Sequence, residues 1–71
     1  MEEKPYIFSD GRMTPKDAAL YTGFKEGTLA NWRIQGIGPK YIKINNRIFY
    51  YQKDLDDYMR SGGYLTSTGQ G

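Results

Sequence analysis

The sequence of 71 residues contains no cysteine, no histidine and only three prolines. Without cysteine no disulfide can brace the chain, and without cysteine and histidine the usual zinc sites are excluded. Serine–histidine–aspartate and cysteine–histidine nucleophile arrangements are excluded with them, as is any histidine general base. No apolar run is long enough to span a bilayer, and no charged-then-apolar signal segment opens the chain. A cytoplasmic, non-catalytic binding protein is the expectation. What the chain has in surplus is aromatic: seven tyrosines, three phenylalanines and one tryptophan. A domain this short draws only about 3–5 kcal/mol from its core. Aromatic side chains are therefore expected to fill it.

The formal charge of +2 is small but unevenly distributed. Between Lys25 and Lys53 the cations Lys25, Arg33, Lys40, Lys43, Arg47 and Lys53 are opposed by Glu26 alone, a net of +5, whereas the flanks together sum to −3. A basic block between acidic flanks is the footprint of a polyanion site.

Residues 1–12 show no sustained period and read as an N-terminal arm in which Tyr6-Ile7-Phe8 can pair or pack. Thr14-Pro15-Lys16-Asp17 offers an N-cap hydroxyl, a proline at the first helical position and an acidic residue three beyond the cap. The helix that starts there should stop at Gly23 in the left-handed conformation. A second helix is predicted over about Glu26 to Ile34, with Leu29 and Trp32 on its inner face and Trp32 at the centre of the core. Its outward side then carries Gly27, Ala30, Asn31 and Ile34, with Thr28 at the boundary. Gly27 there costs about 0.5–1 kcal/mol against alanine. It is either slack or a place where another backbone comes close.

Lys40 to Ile44 and Arg47 to Tyr51 read as a hairpin turning at Asn45-Asn46, because both runs are β-branched and aromatic and asparagine tolerates positive φ. A two-residue turn sets Ile42 opposite Phe49 and Tyr41 opposite Tyr50. Asp54 to Arg60 reads as a third helix, acidic at its start and basic at its end, with Leu55, Tyr58 and Met59 as its buried stripe. Its carboxylates are dipole partners, so no metal site is expected. The domain should run over residues 13–61, and residues 62–71, rich in Gly, Ser and Thr, should form a flexible tail.

Met13-Thr14-Pro15-Lys16-Asp17-Ala18-Ala19, Thr28 to Arg33, Gly36 to Ile44 and Arg47-Ile48-Phe49-Tyr50, leading to Asp54-Leu55, together resemble the small excisionase and AlpA-like phage regulators. These carry a MerR-type winged helix-turn-helix. The resemblance spans about Met13 to Arg60 and implies a fold that is mostly α with a β-hairpin wing, in the order helix, turn, helix, hairpin, helix. It implies sequence-specific binding of double-stranded DNA, without enzymatic activity or cofactor, by a factor that directs excision by an integrase. A small transcriptional regulator of a phage or mobile element is the alternative, and an RNA-binding or protein-interaction module a more distant one. Partners would be duplex DNA, an integrase or recombinase, and further copies binding cooperatively.

With the second helix in the major groove, Asn31 can pair bidentately with adenine. Gly27 admits close approach there, and Thr28 and the free amides of the first turn can meet a phosphate. Lys25 and Arg33 would position the helix on the backbone. In the wing, Lys43, Asn45, Asn46 and Arg47 would meet backbone or minor groove. Phe49 stands where the family commonly has a basic residue, and should pack against the arm or another subunit.

Overall fold

The computed structural model describes residues 4–61. The expected tail, residues 62–71, lies outside them. Elements follow as β1 (Arg12–Met13), α1 (Pro15–Thr22), α2 (Glu26–Gln35), β2 (Ile42–Ile44), β3 (Arg47–Tyr51) and α3 (Gln52–Arg60). This is a small winged helix-turn-helix, three helices on a three-stranded antiparallel sheet of order β1-β3-β2. No helix among the described residues is long and apolar enough to cross a membrane.

Local chemistry sets both ends of α1. The Thr14 hydroxyl accepts from the Asp17 amide at 3.2 Å and donates to the Asp17 carboxylate at 2.9 Å, so the cap is reciprocated by the side chain three residues on. Gly23 (φ 85°) closes the helix with its N–H on the Ala19 carbonyl. Only Phe24 and Lys25 then separate it from α2, which gives the tight helix–turn–helix corner. α2 ends in a Schellman motif: the Gly36 N–H reaches the Arg33 carbonyl and the Ile37 N–H the Trp32 carbonyl at 2.9 Å. Gly38 is required as glycine. Its φ is +89°, and a Cβ there would sit 2.9 Å from Trp32 Cε3.

The hairpin has the expected register, with Ile42 opposite Phe49 and Ile44 opposite Arg47. Asn45 (φ 49°) and Asn46 (φ 67°) both take the left-handed conformation of a type I′ turn. Sequence patterning did not reveal β1, two residues long, pairing Arg12 with Tyr51 and Met13 with Tyr50. Arg12, grouped with the arm by sequence, is thus the first sheet residue.

Because side chains alternate across a strand, β3 has two occupied faces. Tyr50 and Ile48 turn to the helices, where Met13, Ala18, Leu29, Tyr50 and Leu55 form the fully buried centre. Phe49 turns the other way and meets the arm: its ring lies edge-on to Phe8 at 6.0 Å, and the Arg12 guanidinium stands 4.8 Å from both rings. The arm is thereby a third layer. The Asp10 carboxylate pairs with Arg12 Nε at 2.7 Å and takes the Arg12 amide at 3.2 Å. Desolvation raises the Asp10 pKa, but the Arg12 hydrogen bonds and charge outweigh it and hold the carboxyl below its ordinary value.

Two expectations for the core, at Trp32 and Met59, need correction. Trp32 is half-buried and not the centre of the core, because Leu29 fills that place. The indole instead joins Phe24 (5.1 Å) and Tyr58 (5.9 Å) in a cluster that seals α2 against α3. Met59, four residues beyond Leu55 near the end of α3, is 37% exposed, and Tyr41 is 42% exposed, its ring 6.2 Å from that of the buried Tyr50. Helix α3 also begins at Gln52, two residues earlier than Asp54, since its first amide is satisfied from afar by the Gly11 carbonyl at 2.8 Å. Between α1 and α3, the Tyr21 hydroxyl donates to Asp56 and accepts from Gln52 at 3.2 Å. The Asp56 bond holds the Tyr21 pKa above its ordinary value, with Gln52 opposing.

Candidate nucleic-acid interface

Leu29, fully buried, fixes the rotation of α2. At 100° per residue this turns Gly27, Asn31 and Ile34 outward, and all three are exposed, while Thr28 and Ala30 lie half-buried on the flanks. From Gly27 to Gln35 the exposed residues carry no charge. An added Cβ at Gly27 would meet nothing within 4 Å, so no contact inside the fold requires glycine there.

Lys25 is exposed at the N-cap of α2 and gives no side-chain cap, which leaves the first-turn amides open to a ligand. Glu26, exposed in the same turn, complements the helix dipole. Arg33 is placed differently from Lys25. It is half-buried, Nη1 donates to the Tyr50 hydroxyl at 2.8 Å, and the guanidinium lies 5.9 Å from the rings of Tyr41 and Tyr50. Arg33 is first a strut between α2 and β3.

In the hairpin, Lys43, Asn45, Asn46 and Arg47 are all exposed. Lys43 pairs across from Ile48 and Arg47 from Ile44, so alternation turns the two cations to opposite faces of the ribbon. A cation on each face at the tip suits a ribbon that lies along a polyanionic backbone. The sheet thus brings together what the sequence separates, since Arg33 ties the base of the hairpin to the helix.

Sequence reading missed two contributors to this geometry. Arg12, its guanidinium 4.8 Å from the rings of both Phe8 and Phe49, holds the arm on the outer face of the hairpin. Tyr50 is the anchor for Arg33. The Asp10-Gly11 turn signal beside an aromatic-rich arm was the available pointer to Arg12. The Arg33–Tyr50 bond spans two elements and leaves no local signature.

A search of curated proteins gives no match. A family model described as a helix-turn-helix domain matches residues 12–63, from the first residue of β1 to just past α3. That is well over half of the chain, and the chain belongs to this family, which includes AlpA- and excisionase-like proteins.

Proposed function

We propose, from the premise of a helix-turn-helix family member, that the chain binds a specific sequence in double-stranded DNA with α2 in the major groove and the hairpin along the adjoining backbone. The observation that carries this is the outer side of α2. It is exposed, uncharged between Gly27 and Gln35, centred on Asn31, and beside it stands a glycine that nothing inside the fold requires. Asn31 reads adenine through its amide. Gly27 lets the helix approach closely, and the Thr28 hydroxyl with the uncapped first-turn amides donates to a phosphate. Lys25, the free part of the Arg33 guanidinium, Lys43 and Arg47 contact phosphates, with Asn45 and Asn46 at the wing tip.

The same reading extends to biological role. The motif order from Met13 to Arg60 resembles excisionases with a MerR-type wing, and supports a recombination directionality factor of a phage or mobile element that works beside an integrase. A single module of this kind buries roughly 600–1,000 Å² of protein surface on DNA. Adjacent copies therefore act together, and together they bend the site.

Selection from a random duplex pool, followed by mobility-shift and bending measurements on the enriched site, tests this. The expected result is an enriched motif, better competition by duplex than by single strands or RNA, and a bend that grows as copies load cooperatively on repeated sites. Equal competition by single strands would overturn duplex recognition. An enriched site bound by one unit without bending would replace the excision role with that of a transcriptional regulator.

A further inference from the structure

Ile34 is 85% exposed, the highest exposure among the large apolar residues described, and no part of the reading above uses it. Its position is not incidental. It follows Asn31 by three residues and Gly27 by seven, so it continues the outward side that starts at Gly27. A lysine or glutamate would serve a solvated helix surface better, with higher helix propensity and no apolar exposure. The backbone beneath it is also fixed. Arg33, the preceding residue, is bonded to Tyr50, and the Schellman motif at Gly36 and Ile37 closes the helix two residues later. A β-branched side chain on fixed helical backbone has one dominant χ1 rotamer, so the apolar end of Ile34 is in place before any ligand arrives.

We infer that Ile34 is a specificity residue that packs against the 5-methyl group of a thymine, at a base pair next to the one read by Asn31. The inference rests on the proposed placement of α2 in the major groove. The thymine methyl is the one apolar group that base pairs present there, and side chains that discriminate thymine from cytosine do so by apolar contact with it. Helical spacing supports adjacency: residues three apart rise about 4.5 Å along the axis, comparable to the roughly 3.4 Å between base pairs. An amide and an aliphatic side chain on one outward side thus form a two-position reader, adenine by hydrogen bonds and thymine by its methyl.

The test uses the full chain and a duplex that it enriches from a random pool, in which each thymine is replaced singly by deoxyuridine, which lacks only the methyl. At one thymine the replacement should weaken wild-type binding about fourfold, the effect of one methyl leaving an apolar contact. Ile34→Ala should bind the unmodified duplex at least about fourfold more weakly and respond to the same replacement by less than about twofold. Ile37→Ala, at a half-exposed position beyond the helix, should keep the wild-type response. Because Ile34 lies outside the core and alanine is the better helix former, Ile34→Ala should melt no lower than the wild type. If every thymine replacement affects wild type and Ile34→Ala equally, the inference is overturned while duplex recognition stands. It is equally overturned if Ile34→Ala changes only the association between copies. If the pool yields no enriched duplex, the reading of α2 falls and the inference falls with it.

Discussion

Helices α2 and α3 are alike on their inner sides and unlike on their outer ones. Each buries one leucine completely, Leu29 and Leu55, and they meet through Trp32 and Tyr58. Outward, α3 presents Lys53, Asp57 and Arg60, with Arg60 Nη1 donating to Asp57 at 3.0 Å, a surface that water and its own ion pair complete. The outer side of α2 has a glycine, an asparagine, an isoleucine and a glutamine, with its cation Arg33 turned inward to Tyr50. Two helices of one small domain, in the same solvent, have been given different outer chemistry. The contrast supports the proposed reading, in which DNA completes the outer surface of α2.

Substitutions can break that comparison or sharpen it. The largest effect is expected where the helices agree: Leu29→Ala and Leu55→Ala should each lower the unfolding free energy by about 2–5 kcal/mol. That is close to the whole of what such a core provides, so urea or thermal unfolding would find both variants largely unfolded. A mild effect at Leu29 alone would mean that α2 is less firmly seated than α3. On the outer sides the helices should part. Asn31→Ala should cost about 1–3 kcal/mol on the enriched duplex and little on random DNA, whereas Asp57→Ala on α3 should change neither. Equal losses on both kinds of DNA would remove Asn31 from the base readers.

Away from both helices, Arg47→Ala should weaken specific and random binding alike and reduce the log–log salt slope by about one. An unchanged slope would place the wing outside the contact set. The smallest effect is the most diagnostic. Gly27→Ala should raise the unfolding free energy by about 0.5–1 kcal/mol, since the added methyl meets nothing in the fold, and yet weaken binding to DNA. Stability and affinity moving in the same direction would mean that Gly27 is slack.

What was legible in the sequence is what local chemistry decides. Thr14, Pro15 and Asp17 announce one end of α1 and Gly23 the other, and Asn45-Asn46 fixes both the turn and the register of the hairpin. What was hidden depends on partners distant in the chain. Strand β1 is too short to show a period and exists because β3 offers it two pairing positions. The start of α3 is satisfied by the carbonyl of Gly11, which no capping pattern near Gln52 discloses. Trp32 looked central by size, yet the site that Leu29 occupies among Met13, Tyr50 and Leu55 is closed on every side, and the larger ring covers the core from its edge. In the candidate site, helical spacing alone places Gly27, Asn31 and Ile34 outward. The inward engagement of Arg33 became visible only with Tyr50 beside it.

Strand β3 is clamped from both sides, by the helices against Tyr50 and by Phe8 and Arg12 against Phe49, and Arg33 crosses from α2 to the same strand. A strand so held can neither slip in register nor swing, because either motion would uncover apolar surface on one face or the other. Helix α2 and the base of the hairpin are consequently joined like the two jaws of a caliper, with the gape set where Arg33 meets Tyr50. On the proposed reading, a duplex seated between them adjusts its groove width and local curvature to the gape. Sequences that deform easily are then preferred even at base pairs that no side chain touches.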